Sequence, residues 1–336
     1  MKKILLLLLG SLVILVFMLQ QWVGLGDIWN ILVTINPVLL PFIIVMPFVT
    51  LMVYSYRWRL LLRSVDVDVN VNTVFRYALI GAVFNYITPM LRFGGEPVKA
   101  YMLAKEVRVH KRKIFASVAM DTLITFSTLI GLIYFSALGL SFLNILNWFT
   151  LWAILGVLLL PLTLGTYFVY DKRVLIYISK KASRIASKIR PGAGKGLPGD
   201  MLKFRENLKK SLRRKDLLVK SMAIGITERM LEIFTVYMIF VALGIQVDVF
   251  VVAITLGVGI FAGGLPLLPG GVLVYESSTI FILTLLGVAT APATSAILVW
   301  RFVNYLLVII VGIVFSWFYG ISFSLKKKEH FFKFGS

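Results

Sequence analysis

The stretch NYITPMLRFGGEPVKAYML, residues 85–103, decides the fold. It closes an apolar block near 77–91, and Thr88-Pro89 interrupts any helix there because the residue before a proline is pushed out of the α region. Gly94-Gly95 and Pro97 follow. Seven basic residues then fall between 92 and 113 (Arg92, Lys99, Lys105, Arg108, Lys111, Arg112, Lys113), while Arg57, Arg59 and Arg63 end the apolar block before it. Lys and Arg accumulate in cytoplasmic loops of membrane proteins. The chain is therefore inside both before and after the block at 77–91. This predicts a re-entrant hairpin, one half-helix in and a second half-helix out, whose broken backbone must be satisfied by protein or a wet cavity. The alternative is an ordinary tight helical hairpin that crosses twice.

Composition makes lipid the surrounding solvent. Of 336 residues 59% are hydrophobic and 15% charged, with a mean hydropathy of +0.92. That leaves too few polar side chains to cover a water-soluble domain of this size. The full-length apolar blocks run 17 to 27 residues, enough to cross about 30 Å of hydrocarbon as helix. The alternation of an outer-membrane barrel strand is missing. The formal net charge of +20 sits in the loops between these blocks. It reads as topology and attraction to an anionic leaflet, and nucleic acid is not an expected partner. With no cysteine, disulfides, thiolate nucleophiles and iron–sulfur clusters are excluded. His110 and His330 both lie in basic, non-membrane stretches, which leaves no His-based metal site or base inside the bilayer. The glycines from Gly192 to Gly199 lack the ending of a nucleotide-binding P-loop, so neither an ATP-driven pump nor any cofactor is expected.

Working outward gives the remaining topology. Met1-Lys2-Lys3 ahead of Ile4 to Leu19 reads as an uncleaved first span with its N-terminus inside. Residues 21–37 carry no Lys or Arg and lie outside. Blocks at 38–62 and 114–138 flank the first hairpin, the uncharged loop 139–147 is outside, and the block at 148–170 returns to a loop, 171–216. That loop holds fifteen basic and four acidic residues and is cytoplasmic, with a surface helix around 201–215. The block at 217–243 runs out, and the last, 293–319, ends inside at Lys326-Lys327-Lys328. Residues 244–292 thus begin and end outside. Two half-length blocks there, 250–268 and 272–287, are split by LPLLPGG at 265–271, a second re-entrant hairpin from the opposite face. The expected fold is an all-α, polytopic integral membrane protein with about six full spans plus two oppositely oriented hairpins. It reads as a single transmembrane domain, 4–170 and 217–325 around the basic loop, multi-pass in the cell membrane with both termini cytoplasmic. Span, hairpin, span recurs with inverted orientation, an arrangement that places transporter substrate sites at mid-membrane on the ends of broken helices.

Ionisable residues at that depth cost about 2.5–3.5 kcal/mol each on insertion scales, so they mark the candidate site. In the first hairpin Gly94 and Gly95 allow close backbone approach. Pro97 suits a first helical turn with Glu96 near the cap, and Arg92 and Lys99 add cationic donors suited to phosphate. In the second, Gly270 and Gly271 precede Glu276, whose partner is expected to be Arg229 or Arg301. Glu228, Arg229 and Glu232 cluster on the block at 217–243, with both glutamates on one face. Asp121 lies in the block at 114–138. These five charges (Asp121, Glu228, Arg229, Glu232, Arg301) are read as support for the substrate-binding set.

The runs at 85–103 and 265–277, in this order and spacing, resemble the lysylphosphatidylglycerol synthase/flippase transmembrane family over nearly the whole chain. The resemblance carries over Arg92, Gly94, Gly95, Glu96, Lys99, Pro269, Gly270, Gly271 and Glu276 as functional positions. The acidic–Arg pair frequent in the span after the first hairpin is here Asp121-Thr122. The resemblance implies a flippase-like protein moving a phospholipid or polyprenyl-linked lipid between leaflets, with membrane lipids and anionic headgroups as partners and any lipid-modifying enzyme separate. No aminoacyl transfer is expected. A small-solute secondary transporter and a membrane-embedded enzyme acting on a lipid phosphate, with Glu96 or Glu276 as base, are the competing readings.

Overall fold

The computed structural model describes residues 25–87, 94–149, 197–264, 271 and 273–318, together with positions 152, 156, 176, 177, 180, 181 and 183. The expected first span, most of the block at 148–170, both hairpin tips (with Arg92, Pro269 and Gly270) and the C-terminal lysines lie outside the described residues.

Every long element among the described residues is helical. They are α1 (Leu25–Leu32), α2 (Leu40–Ser64), α3 (Val71–Ile87), α4 (Gly95–Glu106), α5 (Lys111–Phe142), α6 (Leu197–Arg213), α7 (Lys215–Ala242), α8 (Val249–Gly263) and α9 (Val274–Leu285). The chain closes with α10 (Thr290–Arg301), a π-helical turn over Phe302–Leu307, and α11 (Val308–Phe318). Leu40–Ser64, Lys111–Phe142 and Thr290–Phe315 are long and apolar enough to cross a membrane. At 28 residues α7 is also long enough, about 42 Å at 1.5 Å per residue, and is interrupted at mid-length by Glu228, Arg229 and Glu232. The paired helices are short: 17 and 12 residues for α3 and α4, 15 and 12 for α8 and α9.

Burial is inverted relative to a water-soluble protein. On α2 the exposed stripe is Phe42, Val45, Val49, Met52 and Tyr56, steps of three and four that lay one apolar face along the outside. On α7 Val219, Met222, Ile226, Met230 and Phe234 do the same. Arg57, Lys99, Asp121, Glu228, Arg229 and Glu276 are buried instead. An apolar exterior around a charged interior is what a hydrocarbon solvent selects, since it rewards neither exposed charge nor exposed backbone.

The N- and C-terminal halves of the chain meet where α2 and α7 lie against each other, while α3 pairs with α4 and α8 pairs with α9. Each pair also crosses to the other half, α3 onto α11 and α8 onto α5. Glycines permit these approaches: a Cβ at Gly312 would sit 2.4 Å from Val83, and one at Gly257 would sit 2.4 Å from Ile133.

The basic segment folds back on the end of α2. Asp66, in the left-handed region at φ 57° where Asp is tolerated, accepts from Lys210 and from Arg214 Nη2 at 2.6 Å. Ser64 and Ser211 share a buried hydroxyl contact of 2.5 Å, and Arg214 Nη1 donates to the Arg63 carbonyl. The Lys210 hydrogen bond holds the Asp66 carboxyl below its ordinary range. A carboxylate with a lowered folded-state pKa adds stability that is complete above the unfolded value of about 3.9 and is lost as pH falls through the folded value. Amide exchange in α6, corrected for intrinsic rate, is therefore expected to be about threefold faster at pH 3 than at pH 6. Asp66→Asn should show the faster rate at both; an unchanged rate in that variant would remove Asp66 from the docking of α6.

Candidate functional site

The site is built around Arg57. The exposed stripe of α2 turns Tyr54, Arg57, Trp58 and Leu61 to the opposite side, and Arg57 ends with 1% of its side chain exposed. Its Nη2 lies 3.1 Å from Asp121 Oδ1 on α5 and donates to Thr125 Oγ1 at 2.8 Å, while Nε lies 3.2 Å from Glu228 Oε1 on α7. One guanidinium thus ties three helices. Only short side-chain volume on α7 allows this: a Cβ at Gly225 would sit 3.0 Å from Arg57 Nη1.

Lys99 joins the same network from α4. Its ammonium is 2.5 Å from Glu96 Oε2 and 3.8 Å from Asp121 Oδ2. It donates to the Tyr54 hydroxyl, which in turn donates to Asp121 Oδ2 at 2.8 Å. The Tyr54 and Trp58 rings lie 4.9 and 4.7 Å from it, close enough for cation–π attraction. Trp58 is fixed by its Nε1–H to Ser117 Oγ. Lys99 is 2% exposed, so it is held inside the protein and does not snorkel to an interface. Helix α4 starts at Gly95, two residues before the expected Pro97, with Glu96 in its first turn. The Gly95 N–H donates to Asn85 Oδ1 at 2.7 Å, and a Cβ on Gly95 would fall 1.9 Å from the Gly81 carbonyl oxygen.

The second half supplies a matching group. Of the two cations expected to meet Glu276, Arg301 does so, with Nε 2.5 Å from Oε1. Arg229 goes to Glu232 at 2.5 Å and lies 4.0 Å from Glu228. The Arg301 guanidinium sits over the rings of Tyr275 and Tyr305, at 4.9 and 4.5 Å, and Trp300 Nε1–H donates to the Tyr275 hydroxyl. Ahead of α9, Gly271 has φ 65° and would place a Cβ 2.6 Å from the Gly263 carbonyl oxygen. Leu273 is strained at φ 73°, a value bulky residues seldom adopt, and its carbonyl accepts from Ser277 in the first turn of α9.

Between the two groups lies a cavity of about 350 Å³, within the range of small-molecule sites, about 300–1,000 Å³. Arg57, Lys99, Arg229 and Arg301 line it, as do Glu96, Asp121, Glu228 and Glu232. Every one of these cations is in an ion pair, so among the described residues the wall is nearly charge-balanced. Aromatic and amide groups complete it: Tyr54, Tyr86, Tyr275, Trp300, Tyr305, Asn85 and Asn304. Of the residues expected from sequence, the structure brings Glu96, Lys99, Asp121, Glu228, Arg229, Glu232 and Arg301 to this cavity. Glu276 stands behind Arg301, and Gly94, Gly95 and Gly271 shape the adjoining turns. Arg92 and Gly270 lie outside the described residues. Arg57 is a correction. Grouped with Arg59 and Arg63 it reads as a cytoplasmic flank, yet it is the central buried cation, and the helical phase of the apolar stripe was the signal that separates it from them.

The family described as "Lysylphosphatidylglycerol synthase TM region" matches residues 4–312. Similar curated proteins include a UPF0104 membrane protein of Methanothermobacter thermautotrophicus, 27% identical over 90% of this chain and 92% of its own. Others are UPF0104 membrane proteins of Methanocaldococcus jannaschii, 24% identical over 93% of this chain and 94% of its own, and of Pyrococcus horikoshii, 24% identical over 93% and 96%. No solved structure matches significantly.

Proposed function

The chain belongs to the lysylphosphatidylglycerol synthase transmembrane-region family, and from that premise we propose that it is a flippase-like transporter. It carries the polar headgroup of an anionic phospholipid or polyprenyl-linked lipid between leaflets through the cavity at its centre. The observation that carries this reading is the cavity itself, walled by eight paired charges drawn from both halves inside an apolar exterior. Charges at that depth normally mark a substrate pathway. A headgroup phosphate entering would take one cation from its carboxylate, and the displaced carboxylate would then take up a proton or turn to a second cation of the network, since a buried charge left alone is costly.

In this reading α3–α4 and α8–α9 are re-entrant hairpins of two inverted repeats. Their lengths support it, since 12 to 17 residues span about 18–26 Å at 1.5 Å per residue, short of the hydrocarbon core. The reciprocal packing of α3 on α11 and of α8 on α5 is what a pseudo-two-fold axis between the halves would produce. The site pairs follow the same plan with the signs exchanged. Lys99 of the first hairpin faces Asp121 of the following span, and Glu276 of the second faces Arg301 of its following span. The protein is then multi-pass in the cell membrane with cytoplasmic termini, acts on lipids without modifying them, and leaves any modification to a separate enzyme.

Leaflet exchange on purified protein in liposomes tests this. Labelled phosphatidylglycerol or labelled polyprenyl phosphate is expected to equilibrate faster than in protein-free vesicles, with the gain abolished by Glu96→Gln and by Arg92→Ala. Exchange of neither lipid would overturn the reading and favour a small-solute carrier.

A further inference from the structure

The last span contains an element that the site as described does not use. Between Arg301 and Val308 the helix widens into a π-helical turn, Phe302–Leu307. Such turns are rare, occur mostly as single insertions in α-helices and recur at functional sites, because the wider turn re-aims the side chains that follow. Here the turn is clamped from two sides. Before it, Arg301 is bonded to Glu276 of α9. Within it, the Tyr305 hydroxyl donates to the Tyr86 carbonyl at 2.9 Å and the two rings lie 4.6 Å apart. Asn304 lies between these anchors. It lines the cavity, and no hydrogen bond to its amide is present among the described residues. Asn85, the other amide in the wall, is by contrast engaged with Gly95.

We propose that Asn304 is a specificity-determining residue, which reads the hydroxyl groups of a phosphodiester headgroup such as a glycerol or a sugar. The assignment rests on the lipid-transport reading above and adds the headgroup class. Phosphate recognition calls on cationic donors, and the wall already supplies four. A carboxamide offers a donor and an acceptor together, the combination a hydroxyl needs and a phosphate oxygen does not use. A neutral group also enters a charge-balanced cavity without leaving a carboxylate or cation unpaired. The placement fits. Asn304 stands three positions after Arg301 inside the widened turn, and both line the same cavity, so a headgroup whose phosphate meets Arg301 presents the hydroxyls of its esterified alcohol on the wall that Asn304 shares. Rigidity matters as much, since a ligand group held on a clamped turn discriminates better than one free to follow its ligand.

The test uses two lipids of equal charge and equal acyl chains in detergent: phosphatidylglycerol, and phosphatidylethanol, which has no hydroxyl. The readout is the lipid concentration giving half the maximal rise in unfolding temperature. The wild-type protein is expected to respond to phosphatidylglycerol at the lower concentration. Asn304→Ala should raise that midpoint about tenfold, the loss of one buried hydrogen bond, and leave the phosphatidylethanol midpoint unchanged. Asn304→Gln, which keeps the amide, should retain most of the preference. Equal midpoints in the wild-type protein, no response to either lipid, or an equal change for both lipids in Asn304→Ala would overturn the assignment. Leaflet exchange by the wild-type protein separates the two claims. Exchange with an unaltered Asn304→Ala midpoint defeats the residue assignment alone. No exchange with the expected midpoint shifts defeats transport and leaves the headgroup site standing.

Discussion

Replacing Arg57 by methionine is expected to destabilise the folded protein by about 3–5 kcal/mol, the usual consequence of removing one partner from a buried ion network. Methionine fills much of the volume, so the loss is electrostatic and not a cavity effect. It takes from Asp121 and Glu228, both buried, the cation that lies 3.1 and 3.2 Å from them and leaves each a more distant one, Lys99 at 3.8 Å and Arg229 at 4.0 Å. It also breaks the contact by which α2 holds α5 and α7 together. The triple variant Arg57→Met, Asp121→Asn, Glu228→Gln removes both carboxylate charges as well and should recover most of the unfolding temperature, because a neutral cluster of similar volume is often no less stable than the ionic one. It should not recover leaflet exchange. A triple variant as unstable as the single one would show that Arg57 acts through packing. A triple variant that still exchanges lipid would show that the α2 charge network is scaffold alone.

Much of the architecture was legible from charge and length. Spans predicted at 38–62, 114–138 and 293–319 correspond to Leu40–Ser64, Lys111–Phe142 and Thr290–Phe315, because a membrane segment must be apolar over a set length and basic residues stay at its ends, and the block at 217–243 is the helix Lys215–Ala242. The helix over Leu197–Arg213 was likewise expected near 201–215. The site was legible in part, and for the same reason: a charge inside an apolar run stands out. Asp121, Glu228, Arg229, Glu232, Glu276 and Arg301 were found this way. Arg57 was not, since it lies near the end of its apolar block beside Arg59 and Arg63, and only the helical phase sets it inward. Tyr54, Asn85 and Asn304 carry no charge, and hydropathy gives no sign that they line the cavity. The π-turn at Phe302–Leu307 was invisible as well, because an extra backbone residue per turn is decided by the tertiary contacts of Arg301 and Tyr305 and leaves no local signature. The pairing itself was half legible. Sequence offered Glu276 two cations, and the choice of Arg301 depends on α9 packing beside α10, a long-range fact.

Substituting Gly95 by alanine is expected to abolish exchange and to destabilise the protein by about 3 kcal/mol, the upper part of the range for overpacking. The reason is geometric. An added Cβ would fall 1.9 Å from the Gly81 carbonyl oxygen and 2.7 Å from its carbonyl carbon. Those are backbone atoms inside a helix, which cannot rotate aside as a side chain would, so α3 and α4 must separate. Separation would pull the Gly95 N–H from Asn85 Oδ1. It would also shift Glu96 and Lys99, the next residues of α4 to face the cavity, out of reach of Tyr54 and Asp121. The neighbouring glycine provides the control. Gly94 has φ −74° and ψ −39°, a conformation open to any residue, so Gly94→Ala should be much the milder change although the two positions look equivalent in the sequence. Gly271→Ala should resemble Gly95→Ala, because it combines φ 65° with an approach of 2.6 Å to the Gly263 carbonyl oxygen. Unfolding temperature and exchange rate on the three variants decide the matter. Equal effects at Gly94 and Gly95 would mean that the double glycine serves the flexibility of the tip. Loss at Gly95 and Gly271 alone would mean that both helix pairs work by holding two backbones in contact, and that the cavity depends on that distance.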